Sequence, residues 1–231
     1  MRLSLLCILF HRVIIGSVIC VMKNPLEILY PPRCIGCFEV VESGQMFCES
    51  CRKAFEKSLA VDDRRIGEFY CLSLYRYTAV VRQSVWNIKY KHSLTVCRKA
   101  GILLADAARQ SVAYFSADLV VDIPMTKTEK KRRGFNQSEI LAQLVAKNLN
   151  LPFSPKGLVK VKETAPQKVL SAAKRLRNMR GAFRADEKVV GGKRVLLIDD
   201  VVTTGATVRS AAEALMKAGA VDVFVLSFAS A

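Results

Sequence analysis

The chain has 231 residues, 51% of them hydrophobic, which is enough to bury a core without disulfides and excludes a disordered tail or a collagen-like chain. Thirty-six Lys and Arg against twenty Asp and Glu leave a net charge of +16, which suits polyanions such as nucleic acid, phosphorylated metabolites or anionic lipid and disfavours a basic partner. Eight cysteines would allow four disulfides, but four of them crowd into one short stretch, so they read as metal ligands in a reducing, cytoplasmic compartment and not as a secreted disulfide scaffold.

Residues 3–10 and 13–21 are mostly apolar, interrupted by His11 and Arg12. That is about the ~20 residues a membrane-spanning helix needs. An Arg near the middle costs ~2.5–3.5 kcal/mol on insertion scales, and no small-x-small cleavage site follows. Two readings stand for residues 1–22: an apolar extension, or upstream sequence translated from a misplaced start, since Met22 precedes a second plausible beginning at Lys23-Asn24-Pro25. No firm membrane association is expected.

From Pro25 to about Asp63 the chain is short on hydrophobic periodicity and rich in Cys. Hydrophobic patterning of domain quality then takes over, so a boundary near Asp62-Asp63-Arg64-Arg65 separates a small module at 23–65 from a domain at 66–231. In the module, Cys34-x2-Cys37 and Cys48-x2-Cys51 supply two pairs of thiolates, and Gly36 lets the first turn close. Four thiolates complete a tetrahedral site with no open position, so the role is structural. Spacing favours zinc, although iron satisfies the same pattern. Cys7, Cys20, Cys71 and Cys97 read as ordinary small apolar residues.

In the domain, residues 69–77 alternate and are aromatic, as a strand would be, while 80–90 and 94–110 carry apolar residues at helical spacing. Residues 118–123 form a short apolar run stopped by Pro124, the pattern of a buried parallel strand. A helix is predicted from Asn136 to Leu149, with Asn136 or Ser138 as its cap. Arg194–Ile198 is the most strand-like run in the chain, residues 205–218 form a helix closed by Gly219, and 221–228 form a last buried strand. Alternating strands and helices predict an α/β fold with a mostly parallel sheet.

The strand at 195–198 ends in Asp199-Asp200, followed by Val201-Val202-Thr203-Thr204-Gly205-Ala206-Thr207. Ligands in open α/β sheets sit at that edge. Backbone N–H groups of a Thr-Gly turn opening a helix make a cradle for a phosphate monoester. Two adjacent carboxylates repel a phosphate, so they face something else: sugar hydroxyls or a divalent cation. Phosphate at one end and a diol at the other describe a phosphorylated ribose.

This stretch resembles the thirteen-residue phosphoribosyl-pyrophosphate (PRPP) motif of type I phosphoribosyltransferases at every position. The resemblance implies that Asp199 and Asp200 hold the ribose hydroxyls with Mg2+ nearby, and that Thr203, Thr204, Gly205, Ala206 and Thr207 wrap the 5′-phosphate. Purine-salvage members place an acid where Thr203 stands, which argues against a purine-salvage reaction. Arg132-Arg133-Gly134-Phe135-Asn136-Gln137, the run from Gln167 to Phe183 and the Tyr30-Pro31-Pro32-Arg33-Cys34 approach narrow the likeness to the ComF competence family. Those proteins join a four-cysteine zinc module to a phosphoribosyltransferase-like domain and take part in DNA uptake during natural transformation. The resemblance implies structural zinc, PRPP and an uptake helicase as companions, and DNA, single-stranded in preference to duplex, is a further candidate partner. At Ala172-Ala173-Lys174 the chain departs from the family's usual Arg.

Between Lys127 and Arg184 there are fifteen Lys and Arg against three Glu, a net of +12. Lys127, Lys130, Lys131, Arg132 and Arg133 follow the strand ending at Pro124, where a pyrophosphate would need cations. Lys168, Lys174, Arg175, Arg177 and Arg180 suit either a loop closing over it or a track for a DNA backbone, and a solvated basic face is the plainer alternative. Phe135 and Phe183 are the candidates for base stacking. His11 and His92 are the only histidines, and neither is placed to act as a general base. Two functions follow: a PRPP-binding protein of DNA uptake, or an active phosphoribosyltransferase moving phosphoribose to a nitrogen acceptor.

Overall fold

The structure, a computed structural model, describes residues 31–90, 94–111, 116–164 and 178–231. The N-terminal apolar run and residues 165–177, with Lys168, Lys174, Arg175 and Arg177, lie outside them. In chain order the elements are α1 (Glu49–Ser58), β1 (Leu59–Ile66), β2 (Phe69–Arg76), α2 (Ala79–Tyr90), α3 (Leu94–Arg109), β3 (Leu119–Asp122), α4 (Lys127–Arg133), α5 (Gln137–Leu149), β4 (Leu158–Lys160), β5 (Phe183–Ala185), α6 (Glu187–Val190), β6 (Arg194–Val202), α7 (Ala206–Lys217) and β7 (Asp222–Ser230).

Val195, Leu196, Leu197 and Ile198 are apolar toward both faces and fully buried, an environment that only an interior strand of a covered parallel sheet provides. β6 accordingly lies inside a five-stranded sheet of order β1-β2-β7-β6-β3. The β2–β7, β7–β6 and β6–β3 pairs are parallel, and β1 closes one edge antiparallel to β2. β1 contains Asp62-Asp63-Arg64-Arg65, where the composition changes; a charged strand suits an edge, which must resist pairing with other chains.

Helices cover both faces. Val81, Val85 and Ile88 of α2, Val96, Ala100 and Leu104 of α3, and Leu141 and Val145 of α5 pack in one core with Leu196, Ile198, Leu226 and Phe228. Val208, Ala211, Ala212 and Leu215 of α7 pack with Val195, Leu197, Val223 and Val225 in the other. β4 and β5 form a separate antiparallel hairpin, and its buried Leu158 and Phe183 join that second core. Among the described residues, no helix is long and apolar enough to cross a membrane.

The cysteine-rich segment packs on the first core through aromatic rings. Phe47 lies 4.4 Å from Phe55, Phe55 meets Tyr75 edge-on at 4.9 Å, and Tyr75 lies 5.2 Å from Phe228 of β7, centroid to centroid. Such ring pairs contribute ~0.5–1.5 kcal/mol each beyond the area they bury.

Candidate metal centre and ligand site

Cys34, Cys37, Cys48 and Cys51 converge so that their sulfurs all lie within 4.8 Å of one another. Cys34 Sγ is 3.8 Å and Cys37 Sγ 3.6 Å from Cys48 Sγ. Four thiolates at ~2.3 Å from one tetrahedral ion stand about 3.8 Å apart, so the set fits zinc. A Cβ at Gly36 would come 2.6 Å from Cys51 Sγ, which is why the first knuckle needs glycine. The knuckle is tied to the helices behind it. Asn87 of α2 donates Nδ2 to the Gly36 carbonyl at 2.7 Å, and Lys99 of α3 donates Nζ to the Arg33 carbonyl at 2.6 Å. Burial lowers the Lys99 ammonium to a pKa of about 8, and the nearby Cys34 opposes that shift.

At the C-terminal edge of the sheet, a cavity of about 600 Å³ opens between the end of β6, the start of α7, α4 and the end of α2. Asp199 and Asp200 form its floor at 7% and 9% exposure. Asp199 Oδ1 accepts from Ser138 Oγ at 3.0 Å and from the Asp200 amide at 2.9 Å. Burial, helped by the neighbouring Asp200 charge, pushes the Asp199 carboxyl up to about 8. Asp200 Oδ2 meets Lys89 Nζ at 2.5 Å. Burial works against the Lys89 charge, but the Asp200 carboxylate overcomes it and holds the ammonium above its ordinary range.

A second buried layer braces this floor. Asn136 caps α5 by accepting from the Ser138 amide at 3.2 Å, so Asn136 and not Ser138 is the cap. Its Nδ2 donates to Asp122 Oδ2 at 2.8 Å and to the Ile123 carbonyl at 2.9 Å. Burial and the charge of Glu139 raise the Asp122 carboxyl to about 7. The Ser138 hydroxyl, freed from capping, reaches Asp199. β3, α5 and β6 are thereby joined by polar contacts directly beneath the cavity.

The turn expected to cradle a phosphate lies at the start of α7. Gly205 adopts φ 76° as the N-cap, and a Cβ there would lie 2.6 Å from Ile66 Cγ2. Gly205 opens a 12-residue helix whose first turn borders the cavity. Thr203, Gly205, Ala206 and Thr207 line the cavity, whereas Thr204 is exposed in the same loop and off its wall. α4 brings Arg132 and Arg133 to the wall. A capping box between Thr126 and Glu129 starts this helix, and Lys160 of β4 pins it by pairing with Glu129 at 2.8 Å.

Several expected basic residues are not part of the wall. Lys127, Lys130 and Lys131 are exposed on α4, and Lys130 pairs with Glu139 at 2.7 Å. Arg180 is exposed and away from the cavity. Phe183, one of the expected stacking residues, borders the cavity but is buried at 6% exposure, and Phe135 is half-buried. The exposed aromatic pair is elsewhere, on α2, where Trp86 and Tyr90 lie 5.5 Å apart at 44% and 51% exposure.

Lys89, Ser138 and Lys160 are site residues that motif reading missed. Lys89 was open to detection: it continues the stripe of Val81 and Val85 at steps of four, and a charge on an apolar stripe requires a partner. Ser138 and Lys160 carry no comparable signal.

The phosphoribosyl transferase domain profile matches residues 101–229 and the double zinc ribbon domain profile residues 25–60. The chain belongs to the ComF family of phosphoribosyl transferase domain proteins. It is 36% identical over 157 residues to DNA utilization protein YhgH of Salmonella typhimurium, covering 67% of this chain and 69% of that protein. Competence protein F of Haemophilus influenzae is 29% identical over 152 residues, covering 64% of this chain and 66% of its own. Competence protein ComFC of Bacillus subtilis is 25% identical over 184 residues, covering 78% and 70%. The family carries both parts described above, a zinc ribbon and a phosphoribosyl transferase domain, and the four-cysteine cluster is the structural zinc centre of the first.

Proposed function

We propose that the cavity binds PRPP and that the protein serves DNA uptake, as the names of its relatives suggest. The observation that carries this reading is convergence: the acidic doublet, the left-handed Gly205 turn and the paired Arg132 and Arg133 all border one cavity of about 600 Å³. In this reading Asp199 and Asp200 take the ribose hydroxyls. The α7 amides with Thr203 and Thr207 take the 5′-phosphate, and Arg132 and Arg133 take the pyrophosphate. Mg2+ travels on the pyrophosphate oxygens, where it would neutralise charge.

Isothermal titration with PRPP and Mg2+ tests the reading. Saturable binding that disappears in the Asp199→Asn/Asp200→Asn double variant, with its thermal melt retained, is the expected result. Equal binding by the double variant would remove the assignment. The enzymatic alternative is decided by pyrophosphate release from PRPP against a panel of nitrogen bases and amines.

The DNA half of the reading rests on the +12 net charge between Lys127 and Arg184 and on the exposed Trp86–Tyr90 pair, which offers a face for base stacking. Fluorescence anisotropy on a single-stranded oligonucleotide should show affinity falling with salt at a slope of about −0.7 per phosphate contact. Arg132→Ala/Arg133→Ala should reduce both affinity and slope. A flat salt response would leave the basic residues as a solvated face.

A further inference from the structure

The two acids on the cavity floor do not present two charges. Asp199 is buried against Ser138 and keeps its proton to a pKa of about 8, and Asp200 is matched by Lys89 at 2.5 Å. Glu129 is likewise matched by Lys160. Of the charged side chains described on the cavity wall, Arg132, Arg133 and Glu163 remain, a small positive excess. A divalent ion at the doublet would have to displace an ammonium already in contact with Asp200 and ionise a buried acid, so the floor does not fit one.

We propose that Lys89 is the resident cation of the acidic doublet, and that the site therefore takes up a pentose 5-phosphate with a free vicinal diol without any divalent metal. The inference rests on the phosphoribose reading of the cavity and deepens it. Lys89 holds Asp200 in place so that its second face accepts a hydroxyl proton, while Asp199, braced by Ser138, serves the other hydroxyl. Because the ammonium offsets the carboxylate, the phosphate at the α7 end meets no net repulsion from the floor. Mg2+ then belongs to a pyrophosphate when one is present, and not to the protein.

The probe is ribose 5-phosphate, which has the diol and the phosphate but no pyrophosphate. Titrations use the zinc-loaded full chain in magnesium-free buffer without chelator, so that the ribbon keeps its metal, and are repeated with millimolar Mg2+. Wild-type affinity should agree in the two buffers to within about twofold, or less than ~0.5 kcal/mol. Lys89→Gln should weaken magnesium-free binding by about tenfold or more, ~1.4 kcal/mol, and added Mg2+ should recover most of that loss. Lys89→Arg should stay near wild type. Recovery by Mg2+ separates a missing charge from a damaged fold.

If wild-type binding of ribose 5-phosphate needs Mg2+, or if only PRPP with Mg2+ binds, the role of Lys89 is overturned while the phosphoribose reading survives. If neither ligand binds under any condition, both are lost. Should Lys89→Gln fail to fold, the wild-type comparison alone decides.

Discussion

The zinc ribbon and the cavity are both built from paired like-charged ligands, yet the protein disposes of the charge in opposite ways. In the ribbon four thiolates converge on one point, within 4.8 Å of one another, and only a metal can hold them there. In the cavity the two carboxylates of Asp199 and Asp200 are separated in chemistry, one pushed by burial toward its neutral form and one matched to Lys89. The first arrangement demands an ion and leaves no room for anything else. The second meets part of its charge with Lys89 and opens on a cavity of about 600 Å³. Closure in one region and openness in the other follow from which residues supply the counter-charge.

The strongest way to break this comparison is to remove the ion. Cys51→Ser, or a strong chelator, should lower the thermal midpoint by about 10 °C or more, because structural zinc contributes several kcal/mol and each is worth ~2–4 °C at this chain length. An unchanged melt together with no zinc by metal analysis would show that the four sulfurs do not need one.

Next comes Gly205→Ala. Its φ of 76° and a Cβ only 2.6 Å from Ile66 Cγ2 predict a loss of about 2–3 kcal/mol in urea denaturation, with the turn that opens α7 distorted. A loss of less than ~0.5 kcal/mol would mean that the turn adapts freely.

Asn136→Ala removes a cap and two buried donors at once, and should cost about 1–3 kcal/mol. A neutral result would show that Asp122 does not need the amide.

The last test is of pH dependence, and it sharpens the contrast most directly. Asp199 and Asp122 keep their protons to about 8 and about 7 in the folded chain, against ~3.9 for an unfolded aspartate. The folded state therefore binds the extra protons between about 4 and about 8, and their contribution to stability is full below that window and lost as pH rises through it. The midpoint of the wild type should fall from pH 5 to pH 8.5, and that of Asp199→Asn should fall less. Parallel slopes would mean that Asp199 is ionised throughout.

How much of this was legible beforehand differed by region for physical reasons. Runs buried on both faces, such as Val195–Ile198, announce themselves by being short, rich in β-branched residues and apolar at every position between charged residues. The cysteine pairs and the Asp199–Thr207 stretch are each local, so spacing marks the first as a four-thiolate cluster and the second as a loop at the end of a buried strand. β1 was hidden because an edge strand satisfies its environment with charge, and its Asp62-Asp63-Arg64-Arg65 run reads as a break. α4 was hidden too, since Lys127–Arg133 buries no residue and owes its shape to the Thr126–Glu129 capping box and to Lys160. The partners of the doublet were least visible. Ser138 reaches Asp199 across 61 positions and Lys89 reaches Asp200 from another helix, and no window of sequence contains both ends of either contact.

One helix links the two regions. Asn87 grips the knuckle carbonyls and Lys89, two residues on, grips the cavity floor, about 3 Å further along the axis of α2. A rod fastened at such close intervals cannot yield at one grip and stay put at the other. A chain stripped of its metal should therefore lose order first in the turn of α2 that carries Lys89, which faster hydrogen exchange of the α2 amides would report.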